Sequence, residues 1–349
     1  MPEHRSRFRV GVTRDLRRPD GTLAFAPLDL SALERAGVEW DFLAEDPQPL
    51  TPRLLGDLDG LYHLGSAVAE ASLDGVERLA IISRQGVGLD FLDLPACTRR
   101  GIAVTITPDA VTRPMASAAA TLILALAHRL GERNRALHSG DWEAGRFTPQ
   151  GTGLRGRTLG LIGYGRIGRE LVRLLAPWEM RVVVTRRTAT IDAGVDTVEL
   201  DVLLRTADVV VVACPLTDET RGLLDARRLA MMKPTAFLVN VARGAIVDQT
   251  ALVDALRQGR LAGAGLDVFD PEPLPADDPL LALPNVIGAP HSLGGTDQLF
   301  EANVASACAA LLAVAAGRVP RNLVNPEVLD NPLFAAKLDR FAARQGGSG

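Results

Sequence analysis

Paired cysteines are absent from this sequence. Three cysteines, Cys97, Cys214 and Cys308, are scattered over 349 residues with no C-x-x-C spacing, which excludes a disulfide framework and a cysteine-rich zinc site. An excess of positive charge is also missing, since 38 Lys and Arg stand against 42 Asp and Glu for a formal net charge of -4. That balance offers no global attraction for phosphate backbones or anionic lipid, so neither nucleic acid nor membrane is expected as a partner. No apolar run reaches the roughly 20 residues that cross a bilayer, and the longest, Ala116 to Ala127 and Ala305 to Ala316, read as buried helices. The early apolar stretch Phe8 to Val12 breaks off at Arg14-Asp15 before a secretory core can form, and cytoplasmic residence is expected. His4, His63, His128, His138 and His291 share no ligand spacing, so no metal is expected. Short-period repeats and low-complexity tracts are absent as well.

What is present is a chain long enough for two domains, with 47% hydrophobic and 23% charged residues, the balance of folded cores. Short apolar runs alternate with helical patterns: Phe8 to Val12, Val38 to Leu43, Leu61 to Leu64, Leu79 to Ser83 and Ala103 to Ile106 are strand candidates. Such alternation implies right-handed crossovers and a mainly parallel sheet covered by helices on both faces, hence an α/β domain in the first hundred residues. An Ala/Leu-rich helical pattern follows from about Pro114 to Leu130, with Pro114 placed for the first turn. From Gly131 to Gly153 the sequence turns irregular, with Trp142 and Phe147 among Gly, Arg and Pro, and is expected to be a functional or interface loop. A second α/β series then runs through Leu159 to Ile162, Arg181 to Thr185, Val209 to Ala213, Ala236 to Asn240, Gly263 to Asp267 and Val286 to Gly288.

The sharpest local signal is Gly163-Tyr164-Gly165-Arg166-Ile167-Gly168, directly after one strand candidate and directly before the helical pattern Arg169 to Ala176. In that position the first glycine permits a tight turn, the second lets the backbone approach a pyrophosphate, and the third allows close helix packing. The helix N-terminus then faces the anion, so a dinucleotide is expected. A dinucleotide domain selective for NAD has Asp or Glu at the end of the next strand, yet this chain reads Val184-Thr185-Arg186-Arg187-Thr188, with no acid before Asp192. Paired guanidinium groups at Arg186 and Arg187 suit a 2′-phosphate, which a carboxylate would repel. NADP is therefore favoured over NAD, with NAD still possible and solvation of a loop as the alternative role for the two arginines.

Three further segments complete the pattern: Asn240-Val241-Ala242-Arg243-Gly244, Gly265-Leu266-Asp267-Val268-Phe269-Asp270-Pro271-Glu272-Pro273, and Ala289-Pro290-His291-Ser292. With Gln85-Gly86-Val87-Gly88-Leu89-Asp90, Thr107-Pro108 and Cys214-Pro215-Leu216-Thr217 before Glu219-Thr220, they resemble the D-isomer-specific 2-hydroxyacid dehydrogenases across most of residues 60 to 320. The resemblance is to the glyoxylate/hydroxypyruvate reductase-like or phosphoglycerate dehydrogenase-like members. It implies an α/β fold of two Rossmann-like/flavodoxin-like domains with parallel sheets. The substrate domain would be discontinuous, residues 1–107 plus 295–349, around a dinucleotide domain at 108–294. It also implies His291 as acid/base, Glu272 as its partner and Arg243 as the substrate anchor, with amides of Gly86, Val87 and Gly88 gripping the substrate carboxylate. Gly163, Gly165, Arg166, Ile167, Gly168, Arg186, Arg187, Pro215, Thr220, Val241 and Asp267 are the cofactor-binding candidates. Closure of the first domain over the cofactor and a homodimer are further implications.

The residue types suit the chemistry independently. Reducing a 2-oxo acid needs a proton donor beside the carbonyl oxygen, a histidine can donate near neutral pH, and a carboxylate bonded to the ring fixes it. Arginine's planar fork fits a substrate carboxylate. His63 ends a first-domain strand and is a further candidate for substrate contact. Two departures bear on the substrate: Tyr62-His63-Leu64-Gly65-Ser66 lacks the arginine found there in phosphoglycerate-oxidising relatives, and Phe91 replaces the usual asparagine after Asp90. The expected function is NADP-preferring interconversion of a small 2-oxo acid and its D-2-hydroxy acid, with glyoxylate and hydroxypyruvate as first substrates. A formate- or phosphite-type dehydrogenase of the same fold and a dinucleotide-sensing corepressor are the alternatives.

Overall fold

Valine-, isoleucine- and leucine-rich runs buried on both faces set the architecture, as they do wherever helices cover both sides of a parallel sheet. The computed structural model describes residues 7–18, 20–24, 28–147, 149–186 and 194–345. They divide into two units, one made of the chain up to Val111 together with the chain from Thr296, the other of Thr112–Gly295. The expected boundaries lay at 107/108 and 294/295. The first division falls inside the helix Pro108–Ala127.

Among the described residues the first unit holds β1 (Arg9–Val12), β2 (Glu39–Phe42), β3 (Gly60–His63), β4 (Ile81–Arg84) and β5 (Ala103–Thr105). All pair in parallel, in the order β2-β1-β3-β4-β5. The C-terminal segment belongs here because the sheet needs cover that the first hundred residues do not supply. The helix Asp297–Ala315 puts Ala307, Cys308, Leu311 and Val314 into one core with Val10, Tyr62 and Ile81, and Phe334 and Phe341 of Pro332–Gln345 join it. Phe341 meets Phe8 edge-to-face at 4.9 Å, and burying a ring of that size is worth about 1.5–3 kcal/mol. Lys337 on the same helix donates to the carbonyls of Leu79, Arg100 and Gly101 at 2.7, 2.8 and 3.2 Å.

The second unit holds β6 (Thr158–Ile162), β7 (Arg181–Thr185), β8 (Val195–Thr197), β9 (Val209–Val212), β10 (Phe237–Asn240), β11 (Gly263–Leu266) and β12 (Val286–Gly288). Their order is β12-β11-β10-β9-β6-β7-β8, again parallel throughout. The chain reverses its direction of travel across the sheet between β6 and β9, and in open α/β sheets ligands bind at the carboxyl ends beside that switch point.

Three expectations need correction. Strand β8 has no counterpart in the sequence reading, because three residues of an exposed edge, Val-Asp-Thr, give too little apolar signal. The helix expected from Pro114 begins at Pro108, whose fixed φ suits a first turn, and Pro114 lies inside it. The segment expected to be an irregular loop folds instead as two helices, Leu130–His138 and Trp142–Phe147. Neither buries a residue, so no apolar stripe marks their period, and Leu130, Leu137, Trp142 and Phe147 are exposed. The helices containing the two longest apolar runs are also longer than those runs, 20 and 19 residues, and pack their apolar faces into the cores of their units.

Candidate functional site

The glycine turn follows β6 and opens the helix Arg166–Leu175, and each glycine is required for a different reason. Gly163 has φ +94°, and a Cβ there would stand 2.8 Å from the Ala213 carbonyl oxygen and the Cys214 backbone, so the turn lies against the end of β9. A Cβ on Gly168 would meet the Gly163 carbonyl oxygen at 3.1 Å, which marks the close helix–strand approach. Gly165 caps the helix and faces open space, with nothing within 4 Å of where its side chain would be. Open space before a helix N-terminus, bordered by backbone alone, is what a pyrophosphate needs. Ile167 packs into the core below, while Arg166 is exposed and its Nε reaches the Thr112 hydroxyl at 3.5 Å. The Gly163 amide donates to the Thr185 carbonyl, which brings the end of β7 beside the turn. There the Arg186 guanidinium lies 5.4 Å from the centroid of the Tyr164 ring. Arg187 lies outside the described residues.

The carboxyl ends of β9, β10 and β11 form the same edge of the sheet. Pro215 and Thr220 close a short loop after β9, in which the Thr220 hydroxyl donates to the Pro215 carbonyl and accepts from the Thr217 amide. That hydroxyl is therefore committed to the loop. Val241 is buried just beyond β10. Asn240, which sequence reasoning missed as a functional residue, is buried beneath the Arg243 turn: its amide donates to the Arg243 carbonyl at 2.9 Å and its oxygen accepts from the Ala242 amide at 3.0 Å. Arg243 in turn donates to the Ala242 carbonyl at 2.7 Å. Gly244 permits the next close approach, because a Cβ there would lie 2.0 Å from the Phe269 carbonyl. The Arg243 turn is thus seated directly on the segment that leads to Glu272.

Glu272 and His291 meet. The ring nitrogen Nδ1 of His291 lies 2.8 Å from Glu272 Oε2, while Glu272 Oε1 accepts from the Phe269 amide at 2.9 Å. Burial alone would raise the carboxyl's pKa, but the bonds from His291 and Phe269 and the charges of His291 and Arg243 outweigh it and hold Glu272 below its ordinary value. The apolar surround comes from a cavity of about 820 Å³ beside the pair, lined by Phe269, Leu274, Leu280, Leu283 and Val286 with Arg135 as a charged member. His291 itself has φ +50°, left-handed backbone that is uncommon for a residue with a Cβ. Asp267 holds that turn: one of its carboxylate oxygens accepts from both the Ser292 and Leu293 amides at 2.9 Å. Burial raises the Asp267 pKa, with those two amides acting in the opposite sense.

In the first unit the turn Gly86-Val87-Gly88 follows β4. Gly86 has φ +108°, and its amide is already used, donating to the Thr107 hydroxyl at 2.7 Å. The Val87 and Gly88 amides make no hydrogen bond among the described residues. Arg84, a second residue sequence reasoning passed over, stands behind them: it is buried, its Nε donates to the Gly88 carbonyl at 2.9 Å, and its Nη1 donates to the Gln85 carbonyl. Its position before a glycine pair was the available signal. Phe91 is partly exposed, with its ring 5.8 Å from the Arg84 guanidinium. His63 is not a contact residue. It is fully buried, its Nε2 is 2.6 Å from the Ser66 carbonyl, and burial pushes its pKa down to about 3, so it is a neutral core histidine.

The chain is similar to known proteins over most of its length. Residues 120–292 match the family model described as D-isomer specific 2-hydroxyacid dehydrogenase, NAD binding domain. A glyoxylate reductase of Thermofilum pendens is 38% identical over 295 residues, covering 82% of this chain and 87% of that protein. The crystal structure of an NADPH-dependent glyoxylate/hydroxypyruvate reductase from Sinorhizobium meliloti, in complex with NADP and malonate, superposes with a TM-score of 0.80 at 30% identity, covering 93% of this chain and 98% of that one. An NAD-dependent formate dehydrogenase from Staphylococcus aureus follows at a TM-score of 0.77 and 26% identity, covering 88% and 95%. The chain belongs to the D-isomer-specific 2-hydroxyacid dehydrogenase family, NAD(P)-dependent oxidoreductases, with its nicotinamide-dinucleotide-binding domain at residues 120–292.

Proposed function

We propose that this chain reduces small 2-oxo acids to D-2-hydroxy acids with NADPH, glyoxylate and hydroxypyruvate being the first substrates to try. The His291–Glu272 pair carries the reading. With Nδ1 bonded to a carboxylate, the ring is fixed and presents Nε2 as the proton donor to the substrate's carbonyl oxygen. Arg243, held through Asn240, grips the substrate carboxylate and polarises the adjacent carbonyl. Within the first unit, the Val87 and Gly88 amides with the Arg84 charge behind them are by themselves suited to an anion. When bound, the nicotinamide supplies the hydride. The glyoxylate reductase of T. pendens and the NADPH-dependent enzyme of S. meliloti support the substrate class and direction.

Preference for NADPH rests on Arg186 beside the glycine turn and on the lack of an acid there. A homodimer belongs to the same proposal, supported by the exposed Leu130, Leu137, Trp142 and Phe147 on two neighbouring helices. Cytoplasmic residence accords with three free cysteines. The experiment follows nicotinamide absorbance with NADPH and NADH separately against glyoxylate, hydroxypyruvate, pyruvate and phenylpyruvate, and with NADP+ and NAD+ separately against formate. Rapid NADPH consumption by a 2-oxo acid is expected. Turnover with formate alone would replace the substrate, and binding of both dinucleotides with no turnover at all would point to a sensing protein.

A further inference from the structure

The helix Arg166–Leu175 is charged against its own dipole. Its first turn has no Asp or Glu and begins with Arg166, and Arg169 follows one turn later, although cations near a helix N-terminus are unfavourable. The acid that comes next, Glu170, is held by Arg113 at 2.5 Å and by Arg173 at 2.8 Å. Arg169 is exposed, and its guanidinium lies 5.4 Å from the Tyr164 ring centroid, the same distance as the Arg186 guanidinium. One partly buried tyrosine, inside the glycine turn itself, therefore gathers two cations from two different elements, the helix and the end of β7. A π face attracts each guanidinium, which draws both side chains toward the turn. A phosphate dianion placed there gains from both guanidinium groups and from the helix dipole.

We propose that Arg169, gathered with Arg186 on the Tyr164 ring, is a specificity-determining residue for the 2′-phosphate of NADP(H). The inference rests on the proposed NADPH preference and adds a second arginine and an aromatic platform to it.

The test is calorimetric titration of the full-length protein with adenosine 2′,5′-bisphosphate and with adenosine 5′-monophosphate, ligands that differ only in the phosphate at issue. Wild type should bind the bisphosphate more tightly by tenfold or more. Arg169→Gln should lose roughly ten- to a hundredfold in affinity for the bisphosphate, the worth of a charge-assisted contact, and Tyr164→Leu a smaller part of it, with little change for the monophosphate in either. Circular dichroism and thermal melting of each variant check the fold, and Arg169→Lys, which keeps the charge, should recover part of the loss. If wild type discriminates and Arg169→Gln discriminates equally well, the inference is wrong while the NADPH preference stands on Arg186. Equal loss for both ligands in Arg169→Gln overturns it too, since the arginine would then act on the nucleotide as a whole. Should wild type fail to distinguish the two ligands, the NADPH preference and the inference fall together.

Discussion

Replacing Glu272 by Gln tests the centre of the proposed chemistry. The carboxylate accepts two hydrogen bonds, one per oxygen, from His291 Nδ1 and the Phe269 amide. A carboxamide has a single oxygen, so one of these donors must lose its partner, at a cost of about 1–3 kcal/mol. The charge is lost as well. Two unit charges about 4 Å apart interact by about 4 kcal/mol at an effective dielectric of 20 and by about 1 kcal/mol in water. The two side chains are 45% and 36% exposed, so about 1–2 kcal/mol applies here. Together the two losses, about 2–5 kcal/mol, predict a kcat for 2-oxo acid reduction lower by about 30- to 5,000-fold. Steady-state rates across a pH series, read from nicotinamide absorbance, decide it. A variant with kcat within twofold of wild type across that series would refute the assignment of Glu272 as the partner that holds His291.

Gly244→Ala should lower the melting temperature by about 5–10 °C, since its Cβ would lie 2.0 Å from the Phe269 carbonyl and backbone must move to admit it. An unchanged melting curve would show that the Arg243 turn is not seated on that segment. Asp267→Ala releases the Ser292 and Leu293 amides that restrain the left-handed His291, and should cut kcat by about tenfold or more in a protein that remains folded; unaltered kcat would mean the turn holds itself. Lys337→Met leaves three carbonyls without their donor and should destabilise by about 3 kcal/mol or more, seen as a lower denaturant midpoint; a midpoint that stays put would count against the clamp. Glu272 also links stability to pH. Its pKa is lowered in the folded state, so its contribution is present above the ordinary value of 4.5 and is lost as pH falls through the folded value. The stability gap between wild type and Glu272→Gln should therefore close on acidification, and a gap that widens would reverse the sign of the argument.

Local rules made much of this protein legible. The strand runs were readable because parallel strands buried on both faces are continuous apolar segments, and the glycine turn because its three glycines stand at a fixed spacing between a strand run and a helical pattern, Gly163 with the positive φ that favours glycine. The pairing of Glu272 with His291 followed from spaced motifs in a fixed order, and the structure brings the two side chains to 2.8 Å. Where polar or short segments carry no period, the sequence was silent: β8 is three edge residues, and the helices Leu130–His138 and Trp142–Phe147 bury nothing.

Tertiary structure decided everything that depends on which segments meet. Burial turned His63 from a candidate contact into a neutral core residue, and the Thr107 hydroxyl took the Gly86 amide and left only Val87 and Gly88 for an anion. Arg84 and Asn240 bond the backbone of the turns that follow them, Asp267 bonds that of the His291 turn, and Arg169 and Arg186 share a ring contributed by a third position. A hydrogen bond or a cation–π contact depends on distance and angle, and these are fixed only when the strands take their order in the sheet. Turn motifs and apolar periodicity are written in neighbouring residues and can be read before folding, whereas polar partners such as Thr107 and the Gly86 amide, or Asp267 and the Ser292 amide, stand far apart in the sequence and meet only in the folded chain.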